Sequence, residues 1–130
     1  MSLRLSVAVL FAMVAGCRGG GPPTNPVKLS SGKTIRVRAV GPLYFTQASP
    51  ALNLQYETDL TIDDRQALTH EVTEIWQDFR RDADRGNFQA AVITAHEKAR
   101  GFIITQNRSY NFVFDRRPDG SWPTEATASK

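Results

Sequence analysis

The stretch TIDDRQALTHEVTEIWQDFRRDADRG, residues 61–86, decides the fold. Leu68, Val72, Ile75, Trp76, Phe79 and Ala83 recur within it at spacings of three and four, which places all six on one stripe of an α-helix. Thr61, with Asp64 three residues on, can cap the start. Asp63 and Asp64 suit the positive end of the helix dipole, Arg80, Arg81 and Arg85 suit the negative end, and Gly86 stops the run. The spacing predicts one helix from Asp63 to Arg85, about 34 Å long at 1.5 Å per residue. A helix of that length with a single apolar stripe must cover something, and the flanking sequence supplies strands.

Upstream, Ile35, Val37 and Ala39 alternate with Thr34, Arg36 and Arg38, the period of a half-buried strand. Gly41-Pro42 interrupts the pattern, Leu43-Tyr44-Phe45 resumes it beyond a bend, and Ala48-Ser49-Pro50 reads as a turn. Leu52, Leu54 and Tyr56 then alternate with Asn53, Gln55 and Glu57. Downstream, residues 88–95 and 102–105 are short, apolar and rich in Val, Ile and Thr, and Tyr110, Phe112 and Phe114 alternate with Asn111, Val113 and Asp115. Pro118-Asp119-Gly120 is a turn, because Pro presets φ, Asp bonds the backbone and Gly accepts positive φ. Trp122 packs back as a short final strand, and the small polar residues after Pro123 fray. The expectation is an α+β domain over residues 32–123 in the order ββαβββ: two layers, with one long amphipathic helix on one face of a mostly antiparallel sheet, and a disordered tail over 124–130.

Composition agrees with one modest domain. The 130 residues are 41% hydrophobic and 22% charged, which excludes collagenous, coiled-coil and fully disordered chains. A formal charge of +3, dispersed along the chain, gives no electrostatic basis for a nucleic-acid partner. Cys17 is the one cysteine, so no intramolecular disulfide and no multi-cysteine metal site can form.

The position of Cys17 carries more meaning. Arg4 and the amino terminus give a positive start, residues 5–15 are an apolar run, and Ala15-Gly16 precede the cysteine. Eleven apolar residues fall well short of the roughly 20 that span a bilayer. Val14-Ala15-Gly16-Cys17 resembles the lipobox of bacterial lipoproteins. That resemblance covers residues 1–17 alone, and it implies removal of residues 1–16 as a signal peptide and palmitate-type acylation of Cys17. Arg18 stands where an Asp would mark inner-membrane retention in enteric bacteria, so the resemblance implies outer-membrane anchoring that faces the periplasm. Residues 17–31, opening with Arg18-Gly19-Gly20-Gly21-Pro22-Pro23, then read as a lipidated Gly/Pro-rich tether.

The residues that could carry chemistry are few. His70 and Glu74 sit at i and i+4, and with His96 they form the one metal-dependent or enzymatic alternative, although a metal needs three or four converging ligands and the chain has two histidines. His70-Glu71 opens like the zinc-protease helix motif, but Glu74 stands where its second histidine belongs. No Gly-x-Ser-x-Gly elbow is present, and Asp63-Asp64 and Asp82-Asp84 are explained by helix ends. No catalytic residue, metal site or cofactor is therefore assigned. Trp76, Phe79, Tyr110, Phe112 and Phe114 are read as core.

What remains is a sheet face. If the helix covers Ile35, Val37, Leu52, Leu54 and Tyr56, alternation leaves Arg36, Arg38, Gln55 and Glu57 on the other side, joined by Asn53, Asn111, Val113 and Asp115. Arg36 and Arg38 are either a solvated guard on an edge strand or part of a partner-binding face. The reading as a whole is a lipid-anchored, non-enzymatic periplasmic module. Its partners are the membrane, reached through Cys17, and an envelope protein or cell-wall component.

Overall fold

The computed structural model describes residues 23–98 and 108–127. Its elements are β1 (Asn25–Lys28), β2 (Thr34–Phe45), β3 (Ala48–Thr58), α1 (Arg65–Arg85), β4 (Ala90–Glu97) and β5 (Ser109–Asp115). The strands form one sheet in chain order. Every neighbouring pair is antiparallel except β3 and β4, which are parallel because α1 returns the chain between them. The fold is α+β, one helix on a mostly antiparallel sheet.

The apolar stripe of α1 meets the sheet as its spacing requires. Leu68, Val72, Ile75, Trp76, Phe79 and Ala83 are all buried, packed with Leu54, Tyr56, Ile93, Phe112 and Phe114. Trp76 stacks on Phe114 with centroids 4.0 Å apart and meets Trp122 edge-on at 5.4 Å. Among the described residues, no helix is long and apolar enough to cross a membrane. The signal-like segment 1–16, Cys17 and the strand expected at 102–105 lie outside the described residues.

Several boundaries differ from expectation, each for a physical reason. The stretch expected to end as tether at residue 31 instead holds β1, paired from Asn25↔Val37 to Lys28↔Thr34, and Leu29 is buried in the core. Pro26 is tolerated because β1 is an edge strand among the described ones. The described order is thus βββαββ rather than ββαβββ. Gly41-Pro42 does not interrupt β2: Gly41 pairs with Asn53 and Pro42 with Leu52. No described strand lies outside β2 past Val37, so the missing N–H of Pro42 breaks no ladder there. The reversal is the two-residue turn Thr46-Gln47, and Ala48-Ser49-Pro50 belongs to β3.

A register shift between Val37 and Ala39 leaves Arg38 as an extra residue. The bulge inverts the alternation, so Ala39 opposes Gln55 and is exposed while Val40 opposes Leu54. The cap of α1 is Asp64, not Thr61: Asp64 Oδ1 accepts from the Ala67 amide at 3.2 Å. The Thr61 hydroxyl oxygen accepts instead from the Asp63 amide and tightens the preceding turn. At the other end Asn87, with φ of 59°, takes the left-handed position. A Cβ at Gly86 would lie 2.6 Å from the Phe88 ring, which would have to shift to admit it.

The C-terminal end is not a frayed tail over 124–127. Trp122 is buried without forming a strand, and Trp76 Nε1 donates to the Pro123 carbonyl at 2.7 Å. The Ala126 amide donates to Thr73 Oγ1 at 3.0 Å, and Ala126 is itself buried. These residues strap the helix. The pattern concealed this because small side chains dock through backbone groups that carry no sequence signature.

Candidate functional site: the helix-free face of the sheet

Register assigns every strand residue to a face. On the side away from α1, Arg36 opposes Glu57, which lies beside His96, which opposes Ser109. The next row holds Ala39, Gln55, Thr94 and Asn111, and the one after it Gly41, Asn53, Val92 and Val113. The four residues expected on a partner face, Arg36, Arg38, Gln55 and Glu57, do lie together.

Their geometry is a connected network. Arg36 Nε donates to Glu57 Oε1 at 2.8 Å, and Arg36 Nη2 donates to Asp59 Oδ1 at 2.8 Å. Arg38, projected by the bulge, reaches the second oxygen of Glu57 with Nη2 at 3.7 Å. Its side chain is 17% exposed, and its Nε is buried with no hydrogen-bond partner among the described residues. Arg38 is therefore not a freely solvated guard, and Arg36 lies where β1 covers the start of β2, one pairing short of the edge at Arg38.

His96 joins the group through Gln55, whose Oε1 lies 2.8 Å from His96 Nε2. A carboxamide oxygen only accepts, so in this amide orientation the proton sits on Nε2 and Nδ1 of the neutral ring is an acceptor. Burial, with the Arg38 guanidinium adding to it, holds the His96 pKa below its ordinary value; Glu57 opposes them. A second relay crosses three strands: Asn53 Nδ2 donates to Thr94 Oγ1 at 3.1 Å, and Thr94 Oγ1 donates to Asn111 Oδ1 at 2.7 Å. The face offers guanidinium and amide donors beside carboxylate and imidazole acceptors, the chemistry of polar recognition.

The metal-dependent alternative is not assembled. His70 is exposed on the outer side of α1, in a shallow groove with Arg65, Thr69 and Glu125. Glu74 accepts from Ser31 Oγ at 2.5 Å, while His96 lies on the sheet face away from the helix. Among the described residues no three His, Cys, Asp or Glu gather as metal ligands.

Sequence reasoning missed two residues. His96 enters the sequence reading only through the metal-dependent alternative, although it continues the alternation Val92, Thr94, His96 along β4. Glu71 figures in the sequence reading only as part of the failed zinc-protease match, not as a buried acceptor. It stands on the apolar side of α1, buried, accepting from Tyr56 Oη at 2.7 Å, Thr58 Oγ1 at 2.6 Å and Lys33 Nζ at 2.9 Å. Its signal was a charge at stripe spacing, three after Leu68 and four before Ile75.

No family model, curated protein or solved structure matches the chain. Function is therefore read from this geometry.

Proposed function

We propose that the protein is a non-enzymatic module of the cell envelope, anchored by lipid on Cys17 to the outer membrane and facing the periplasm, which holds an envelope protein or cell-wall component on the helix-free face of its sheet. The observation that carries this reading is Arg38. Its guanidinium lies on this face with Nη2 3.7 Å from Glu57, longer than a hydrogen bond, and its side chain is part-exposed, so a partner acceptor that reaches the guanidinium end gains a charge-assisted hydrogen bond worth about 1.5–3 kcal/mol. The surrounding Arg36, Gln55, Glu57 and His96 supply the remaining donors and acceptors that orient such a partner. The lipobox-like Val14-Ala15-Gly16-Cys17 supports the anchor.

The test places a photocrosslinking residue at Asn111, on this face, or at His70, on the outer side of the helix, in cells. Metabolic palmitate labelling of the same cells, with Cys17→Ser as control, reads the anchor. A defined envelope partner crosslinked from position 111 and not from position 70 supports the reading; equal or absent crosslinking from both faces contradicts it.

A further inference from the structure

The β2–β3 hairpin runs far past the strand that precedes it. β1 enters the sheet at Asn25, opposite Val37, and runs away from the hairpin tip, so its first residue is its end nearer the tip. Eight residue steps separate Val37 from Phe45, an overhang of up to about 26 Å at 3.3 Å per residue. Eight residue steps also separate Cys17 from Asn25. Fully extended they reach at most about 28 Å. As a Gly/Pro-rich coil at 5–6 Å times the square root of the residue number they span about 16 Å. A tether of that reach lets a domain held by lipid on Cys17 bring this hairpin tip to the lipid surface.

The tip has the chemistry of a membrane interface. Residues 39–56 include no charged side chain, in a chain that is 22% charged overall. Tyr44 is 78% exposed, Phe45 51% and Val40 54%, and Leu43 is exposed beside them. Elsewhere among the described residues Val113 is the only large hydrophobic side chain left comparably open. Tyrosine, with its amphipathic ring, sits at headgroup depth, and Pro42 hinders strand addition along this edge.

We propose that the tip of the β2–β3 hairpin, centred on Leu43, Tyr44 and Phe45, is a lipid-interface contact that fixes the domain's orientation on the membrane to which Cys17 anchors it. The contact rests on the anchor proposed above. It directs the long axis of the sheet toward the bilayer and leaves the polar rows of Arg36, Arg38, Gln55 and His96 clear of the lipid, accessible from the side.

The experiment uses the mature lipidated protein, reconstituted in vesicles of phosphatidylethanolamine and phosphatidylglycerol, with a nitroxide on Tyr44→Cys or, at the opposite end of the same strand, on Thr34→Cys. Both positions are exposed, so the label disturbs no core packing. An acylated Cys17 has no free thiol and takes no label. Position 44 is expected to collide several-fold more with oxygen, and several-fold less with a polar nickel chelate, than position 34. Equal nickel access at 44 and 34, in protein that still floats with the vesicles, overturns the tip contact and spares the anchor. Two labels per chain with no flotation removes the anchor and the tip contact together.

Discussion

Tyr56 on β3 donates its hydroxyl hydrogen to Glu71 on α1 across 2.7 Å, inside the seam between sheet and helix. Thr58 donates to the same carboxylate oxygen and Lys33 to the other, so one buried acidic group ties β3 and the connection before β2 to the helix. Burial, then the Glu71 charge, drives the Tyr56 hydroxyl pKa far above its ordinary value, so it remains a donor at every physiological pH.

Glu71→Ala leaves the Tyr56 and Thr58 hydroxyls without their acceptor. It is expected to lower stability by about 3 kcal/mol, while Tyr56→Phe, which leaves Glu71 two donors, lowers it by about 1 kcal/mol. Urea denaturation reads both as shifts of midpoint at constant slope.

Trp76→Ala removes a fully buried ring stacked on Phe114 and should lower stability by about 3–5 kcal/mol. A loss under about 1 kcal/mol would be incompatible with the helix orientation.

Deleting residues 123–130 tests the strap. It strips the acceptor from Trp76 Nε1 and uncovers the Ala126 site, with an expected loss of about 1–3 kcal/mol in the urea midpoint. A frayed tail would give no change.

His96 gives the sheet face a pH dependence of defined sign. Its folded pKa lies below the unfolded value of about 6.5, so the unfolded chain binds the proton more readily. The stability that His96 contributes is complete above pH of about 6.5 and is lost as pH falls from there through the folded pKa. Asp82, raised by burial, acts with the opposite sign in the carboxylate range. The difference between wild type and His96→Gln isolates the histidine: the wild type should lose stability more steeply between pH of about 6.5 and 5.

The fold was legible where side chains repeat. Six stripe positions of α1 and the alternation of Leu52, Leu54 and Tyr56 are periodic, and the core follows from them. The site was legible in part, since alternation set Arg36, Gln55 and Glu57 on one face. It could not foresee the bulge at Arg38, because a register slip is decided by how two strands pair and not by either alone. β1 and the C-terminal strap escaped for a related reason: Pro26, Pro123 and Ala126 are held by backbone groups and by neighbours distant in the chain. His96 and Gln55 meet only through the parallel pairing of β3 with β4, which α1 creates.

The most direct measurement is the affinity of the crosslinked envelope partner for Arg38→Gln compared with wild type. Arg38 holds Glu57 only at 3.7 Å, and its Nε bonds no described residue, so the substitution is expected to leave cooperative unfolding in place. Loss of a charge-assisted hydrogen bond worth about 1.5–3 kcal/mol corresponds to roughly 10- to 150-fold weaker binding. Unchanged affinity in a folded Arg38→Gln protein would contradict recognition through this face.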